Sequence, residues 1–299
     1  YFNNRITNRD SINRFKIIIS YTCCSGFNIN KSQGEEERGM LELQDISVVF
    51  HPKTINEKVA LSHINFRIED GDFVTIIGSN GAGKSTLFQT ISGAVTPYHG
   101  HIFLNQQDIT SLKEHKRSRF IGRLFQDPLK GTAPSMTIAE NLALAGCQGH
   151  YFHLRPILAK QRQQMYMALK ELNLGLEERM DTKVGVLSGG QRQALSLLMA
   201  TYAKPQLLLL DEHTAALDPQ TASKVLELTA KIVKKYHMTT LMVTHNMQDA
   251  LTYGQKIMIM KEGQIIDVID RERKKDLTVE QLIHLYSSKT HDYNDRILL

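Results

Sequence analysis

The chain has 299 residues and is poor in cysteine, in long hydrophobic runs and in charge of one sign. Its three cysteines, Cys23, Cys24 and Cys147, are too few for a disulfide framework and lack the spacing of a zinc site, so we expect a reducing, cytosolic setting. No apolar run approaches the roughly 18 residues that cross a bilayer, so we expect no transmembrane helix. A net charge of +5 suits an anionic ligand or a lipid surface without demanding nucleic acid.

Methionine is absent before Met40, and residues 1–39 show no sustained helical or strand periodicity. The six residues before Met40, Gly34 to Gly39, can all be written in purine-rich codons, as a translated ribosome-binding site would be. We therefore expect residues 1–39 to be upstream sequence that was read through, with the functional chain starting at Met40. A genuine but disordered N-terminal extension is the alternative.

Strand and helix signals alternate along residues 40–299. The predicted strands are short runs of alternating or continuous apolar residues: Leu41–Phe50, Leu61–Ile68, Phe73–Ile77, Gln206–Leu210 and Thr240–Val243. Such alternation predicts an α/β fold with a mainly parallel sheet covered by helices. The strand signal disappears between roughly Asp127 and Val186, where Met165, Leu169 and Leu172 recur at helical spacing, and this predicts an inserted all-helical subdomain at about 127–187.

The segment Gly78-Ser79-Asn80-Gly81-Ala82-Gly83-Lys84-Ser85 follows a predicted strand and opens a predicted helix. In this context G-x-x-x-x-G-K-[ST] is a phosphate-binding loop, whose glycines let backbone N–H groups close around phosphate oxygens at a helix N-terminus. Lys84 can reach β- and γ-phosphates, Ser85 can ligate Mg²⁺, and Thr86 can donate to the α-phosphate. A glycine-rich turn with an ordinary surface lysine is the alternative.

An acidic pair ends the apolar strand that contains Leu207–Leu210. Asp211 can hold Mg²⁺ through water, and Glu212 can act as a general base towards an attacking water. A buried strand that ends in acidic loop residues is the alternative, but together with the phosphate loop the pair indicates a P-loop NTPase.

A second nest of glycines, Leu187-Ser188-Gly189-Gly190-Gln191, stands at a predicted helix start. Two phosphate-binding nests in one chain suggest a composite site closed by a second copy, whereas the simpler interpretation makes Ser188 a plain N-cap.

With these motifs in this order, residues 40–287 resemble the ATP-binding subunit of ABC transporters. The family resemblance implies a P-loop NTPase core, an antiparallel β subdomain and the helical insertion. Gly78–Ser85 resembles the Walker A loop, Leu187–Gln191 the signature and Leu207–Asp211 the Walker B strand. The segment Asp211-Glu212-His213-Thr214-Ala215-Ala216-Leu217-Asp218 resembles that of a group of bacterial uptake-system ATPases, although most of the family has proline where His213 stands.

The resemblance also implies roles for residues that the motifs alone do not assign. Gln126 would sense Mg²⁺ and the attacking water, His245 would contact the γ-phosphate, and Asp218 would lie in the D-loop. Phe50 would stack on adenine, unless it is only a hydrophobic strand-end residue. Each ATP would be held by Lys84, Ser85 and Thr86 of one copy and by Ser188, Gly190 and Gln191 of the other; Gly189 completes that nest.

The family resemblance implies ATP and Mg²⁺ as cofactors, a head-to-tail pair with a second copy, and membrane permease subunits as partners. We also expect an extracytoplasmic solute-binding protein as a partner, and we expect no nucleic-acid partner. The chain itself is expected at the periphery of the membrane, on its cytoplasmic face. The alternative is a soluble ABC-type ATPase acting on ribosomes or nucleic acid. Ribosome-associated members carry two ATPase halves, and the chain has one copy of each motif; DNA-repair members carry a long coiled coil for which the chain has no room. No N-K-x-D motif for guanine is present.

Overall fold

The computed structural model describes residues 40–146 and 157–290. Residues 1–39, for which we expect read-through or disorder, lie outside the described residues, as do all three cysteines.

Ten strands in the described ranges form two sheets, one of four strands in the order β2-β1-β4-β5 and one of six strands in the order β10-β9-β3-β8-β7-β6. The four-stranded sheet is antiparallel throughout. In the other sheet the five strands from β9 to β6 run parallel, and β10 is an antiparallel edge. The strands are β1 Leu41–Phe50, β2 Lys58–Ile68, β3 Phe73–Ile77, β4 His99–Leu104, β5 Gln107–Asp108, β6 Ile121–Leu124, β7 Leu207–Asp211, β8 Thr239–Val243, β9 Lys256–Lys261 and β10 Gln264–Ile269.

Helices connect the parallel strands, as the alternating pattern predicts. The helices in the described ranges are α1 Lys84–Ser92, α2 Glu114–Arg117, α3 Ile138–Gly146, α4 Ala159–Lys170, α5 Gly189–Tyr202, α6 Pro219–Tyr236, α7 Met247–Tyr253, α8 Arg271–Lys274 and α9 Val279–Thr290, the last two of which follow the last strand. The α/β prediction with a mainly parallel sheet and an antiparallel one is confirmed. None of these helices combines the length and the apolar character that a membrane span requires.

Strands β9, β3, β8 and β7 of the six-stranded sheet are buried on both faces, which explains why they read as continuous apolar runs. Along β7, Leu207 and Leu209 pack into a core shared with α1 and the antiparallel sheet. Leu208 and Leu210 point to the other face and pack with helices α3 to α6. All four leucines have no solvent exposure.

Between β6 and β7, the described residues form α3, α4, α5 and two 3₁₀ turns, with no strand among them and one isolated bridge between Thr137 and Lys183. These helices share their core with one face of the sheet. The boundaries of the helical subdomain, about 127–187, stay a prediction.

Candidate functional site

The phosphate loop connects β3 to α1 at the carboxyl edge of the parallel sheet. Gly83 is the N-cap of α1, with a φ of 99° that favours glycine. A β-carbon at this position would also lie 2.9 Å from the Ala60 carbonyl oxygen and 3.2 Å from Gly263 Cα. The loop is therefore wedged between the antiparallel sheet and the β9–β10 hairpin, and only glycine fits there.

Lys84 folds back into this loop. Its ammonium donates to the carbonyl oxygens of Gly78 at 2.6 Å and Ser79 at 3.1 Å. The side chain is 7% exposed, and its Nζ lies 4.0 Å from Glu212 Oε1. Burial lowers the pKa of Lys84, while Glu212 and Asp211 oppose that shift. The loop thus holds a desolvated cation next to two carboxylates.

The acidic pair lies at the end of β7, beside the phosphate loop. Burial raises the pKa of Asp211; Arg123 and Lys84 oppose that shift, and the neighbouring carboxylate of Glu212 adds to it. Glu212 leaves the strand with a φ of 39°, and its N–H donates to the Val243 carbonyl oxygen at 3.2 Å. The two adjacent carboxylates contact different cations, Glu212 facing Lys84 at 4.0 Å and Asp211 facing Arg123 at 3.7 Å.

A cavity of about 560 Å³ joins these elements, a size typical of small-molecule sites. Ten of the predicted site residues line it: Phe50, Asn80, Gly81, Ala82, Gly83, Lys84, Ser85, Thr86, Gln126 and Glu212. The structure thus brings the Phe50 ring, the phosphate loop and Glu212 to one space, with Gln126 at its edge.

Five further lining residues were missed by sequence reasoning: Lys58, Val59, Ala60, Glu262 and Gly263. The first three start β2, where Lys58 pairs with Phe50 in the sheet. Gly263 lies in the β9–β10 turn and donates its N–H to the Ala82 carbonyl oxygen at 3.0 Å. This docking of the β9–β10 turn on the phosphate loop joins segments far apart in the chain, and no local sequence pattern predicts it.

The second glycine nest lies outside this cavity in the described part of the chain. Ser188 caps α5: its hydroxyl accepts from the Gln191 N–H at 3.3 Å, and the Gln191 side chain accepts from the Ser188 N–H at 3.2 Å. This capping box confirms that Ser188 is an N-cap. Ser188 is also exposed at a helix N-terminus, a position that favours an anion, so both interpretations of the segment remain open.

Gly190 is buried against α6, where any β-carbon would collide with the Thr221 side chain. Thr221 donates its N–H to Asp218 at 3.0 Å, so that Asp218 is the N-cap of α6. The second glycine nest therefore contacts the start of α6 through Gly190 and Thr221, and Thr221 in turn is bound to Asp218, the predicted D-loop residue.

His245 follows β8 at the same sheet edge and is exposed, although it does not line the cavity. Asn246, directly after it, caps α7 by accepting from the Asp249 N–H at 3.0 Å. The carboxyl ends of β3, β6, β7 and β8 thus carry the phosphate loop, Gln126, the acidic pair and His245 along one edge.

His213 is a buried residue next to the acidic pair, with 2% exposure. Its Nε2 lies 3.3 Å from the Thr229 hydroxyl on α6, and that hydroxyl donates to the Val225 carbonyl oxygen at 2.7 Å. Since the single hydroxyl proton is used, Nε2 is the donor in this contact. Burial lowers the pKa of His213 to about 4.

We expect the free energy of unfolding to fall as the pH falls from about 6.5 to about 4, because the unfolded chain then binds a proton that buried His213 does not. The contribution lost is about 2 kcal/mol at pH 5 and about 3 kcal/mol below pH 4. Urea denaturation at pH 7 and pH 5 measures it.

His213→Gln should show a flatter decline over this pH interval than the wild type, since glutamine cannot titrate. His284→Gln, at an exposed histidine of α9, is the matched control and should keep the wild-type slope. Equal slopes for the wild type and His213→Gln would contradict the burial effect.

The ABC transporter family model matches residues 61–215, which include the phosphate loop, the second nest and the acidic pair. The chain is 46% identical to the tyrosine transport ATP-binding protein of Clostridioides difficile strain R20291, over 83% of this chain and 98% of that protein.

Two solved structures share the fold. One is a dimeric ATP-binding cassette, MJ0796, in a post-hydrolysis state bound to ADP and Pi, with a TM-score of 0.67 and 27% identity over 78% of this chain and 99% of that one. The other is cbiO1 of Clostridium perfringens, part of the transporter complex cbiONQ, with a TM-score of 0.68 and 26% identity over 85% of this chain and 96% of that one. Because family model, relative and structures agree with the geometry of the cavity, the chain belongs to the ABC transporters, as an ATP-binding and ATP-hydrolysing component.

Proposed function

We propose that the chain is the ATPase subunit of an importer, working as a head-to-tail pair that powers a separate membrane permease. The observation that carries the proposal is the cavity in which the Lys84 ammonium lies 4.0 Å from the Glu212 carboxylate, beside the phosphate loop. A cation for the phosphates and a base for water are the two groups that ATP hydrolysis needs at one place.

ATP would lie along this cavity with its adenine against Phe50. The backbone N–H groups of Gly78–Gly83 and the start of α1 would bind the phosphates, with Lys84 at the β- and γ-phosphates and Thr86 at the α-phosphate. Phe50 is half-buried at the end of β1: its ring packs against the hydrophobic core and is still partly exposed to the cavity.

The site also fits a magnesium ion. Ser85 and Gln126 would hold it through a hydroxyl and an amide oxygen, and Asp211 would hold it through water; these are the oxygen donors that Mg²⁺ prefers. When bound, the ion would neutralise charge on the phosphates.

In the hydrolytic step, Glu212 would take a proton from a water that attacks the γ-phosphorus, and the bond to the β-phosphate oxygen would break to release ADP. His245 would stabilise the γ-phosphate oxygens, and Gln126 would orient the water.

The second copy would close the site with Ser188, Gly189, Gly190 and Gln191. The start of α5 supports this, because Ser188 and Gly189 are exposed at a helix N-terminus outside the cavity of their own chain. The dimer of the similar cassette supports the pairing, and Asp218 would lie at the junction of the two copies.

Ser188→Arg is expected to leave ATP binding to the single chain intact and to abolish turnover, because the bulky cation would block the partner's phosphates and prevent closure. Phosphate release measures turnover, and size-exclusion chromatography with ATP measures pairing. Ser288→Arg, on an exposed face of α9, is the matched control and should behave as the wild type. Full turnover of Ser188→Arg would rule out the composite site.

The partners would be permease subunits and an extracytoplasmic solute-binding protein, with the ATPase peripheral on the cytoplasmic face of the membrane. Membership of cbiO1 in a transporter complex and the uptake-type sequence resemblance support this. Tyrosine, from the name of the 46% identical relative, is the first solute to test.

Reconstitution in vesicles with a permease that co-purifies with the chain tests the proposal. ATP-dependent uptake of labelled tyrosine or another solute, lost in Glu212→Gln, is the expected result. ATPase activity that responds to ribosomes or nucleic acid and ignores the permease would favour the alternative of a soluble ATPase.

A further inference from the structure

Arg123 is a half-buried arginine in strand β6, three residues before Gln126. In the sheet it pairs with Leu209 of β7, two residues before Asp211. Its Nη2 lies 3.7 Å from Asp211 Oδ2, and the two side chains are only 13% and 15% exposed. A buried guanidinium therefore faces the carboxylate that we assign to the metal.

The remaining contacts of Arg123 fix the position of the guanidinium but leave one of its hydrogen-bond donors unused. Its Nη1 donates to the Ser92 hydroxyl at 3.2 Å, and the group stacks on the Phe125 ring at 4.7 Å. Its Nε has no hydrogen-bond partner in the part of the chain that the structure describes. The 3.7 Å approach to Asp211 is also longer than the 2.7–2.9 Å typical of a tight charged hydrogen bond.

Arg123 is the larger of the two counter-charges of Asp211, and Lys84 is the smaller one. Within the described ranges its ion pair is with Arg123, while Lys84 is held by the Gly78 and Ser79 carbonyl oxygens. A buried carboxylate without a partner is costly, so the pair stabilises the site when no metal is present. The loose geometry leaves the carboxylate available to a second cation.

We propose that Arg123 is a positioning residue: it acts as the counter-charge of Asp211 while no metal is bound, and it thereby limits the affinity of the site for Mg²⁺. The inference rests on the proposed magnesium site. Arg123 would keep its positive charge beside Asp211 when Mg²⁺ is bound there, and the repulsion between the two cations would weaken metal binding. The same guanidinium connects the metal-binding carboxylate to the strand that leads into Gln126.

The experiment measures how strongly Mg²⁺ tightens ADP binding. For each variant, calorimetry gives the dissociation constant for ADP in EDTA and in saturating Mg²⁺, and their ratio reports the metal's contribution without any turnover. Arg123→Met and Arg123→Gln remove the charge and should increase this ratio about three- to tenfold. Arg123→Lys keeps the charge and should stay near the wild-type ratio.

Arg119→Met, at a second half-buried arginine just before β6, is the matched control and should leave the ratio unchanged. The metal-free melting temperature should fall in the two neutral Arg123 variants, but a purely structural role would lower it without moving the ratio. An unchanged or smaller ratio in both neutral variants would overturn the role of Arg123. A wild-type ratio of one would instead overturn the magnesium site, and the role of Arg123 with it.

Discussion

Glu212→Gln is expected to lower the rate of ATP hydrolysis by about 10²–10⁴-fold while ATP binding persists. Glutamine has the shape of glutamate but cannot accept the proton of the attacking water. The Lys84 ammonium remains bound to Gly78 and Ser79, so the phosphate contacts stay in place. The variant should therefore accumulate as a pair with ATP trapped between the copies, which phosphate release and light scattering detect together.

The matched control for this change is Glu262→Gln. Glu262 lines the same cavity from the β9–β10 turn, but its side chain is 83% exposed and pairs with Lys261 at 3.6 Å. It should hydrolyse ATP at close to the wild-type rate, because no reacting group depends on it. Unchanged hydrolysis in Glu212→Gln, or an equal loss in both variants, would contradict the general-base role.

The parts of the site that could be predicted from the sequence are those formed by short continuous segments. The phosphate loop is one continuous segment, and its position after an apolar strand defines both its backbone and its side of the sheet. Asp211 and Glu212 follow another apolar strand, and carboxyl ends of parallel strands share one edge. For these residues, chain order alone was enough to predict that they meet.

The remaining parts depend on contacts between segments far apart in the chain. The start of β2 and the turn at Gly263 enter the cavity because two sheets pack together, and no local pattern encodes that packing. Arg123 resembles any polar residue of an edge strand until β6 is placed beside β7. His213 gives no sign of burial in a loop sequence, and only the packing of α6 over that loop removes it from water.

Arg117 is the clearest example of a residue whose role only the structure reveals. It is fully buried, and its guanidinium donates to the carbonyl oxygens of Thr90 and Ile91 at the end of α1 and to those of Leu112 and Thr110. Helix α1 has no basic residue in its own last turn, so Arg117 supplies the positive charge that a helix C-terminus favours. It thereby anchors the helix that begins at the phosphate loop.

Lys84→Ala is expected to weaken ATP binding about 10- to 100-fold, the value of one charged hydrogen-bonding group toward phosphate. The ammonium is 7% exposed and desolvated, so its interaction with phosphate is little screened by water. Because Lys84 would reach the β- and γ-phosphates, the loss should be large for ATP and ADP and small for AMP. Calorimetric titration with the three nucleotides measures this order.

Lys58→Ala is the matched control, since Lys58 is an exposed lysine in the wall of the same cavity, next to Phe50 in the sheet. It should lose little affinity for any of the three nucleotides, because an exposed ammonium is screened by water and salt. A uniform loss for ATP, ADP and AMP in Lys84→Ala would mean that the loop has collapsed and that the cation does not act on the terminal phosphates. If Lys84→Ala loses affinity for ATP and ADP only, and Lys58→Ala keeps its affinity for both, the contact with the terminal phosphates is made by Lys84.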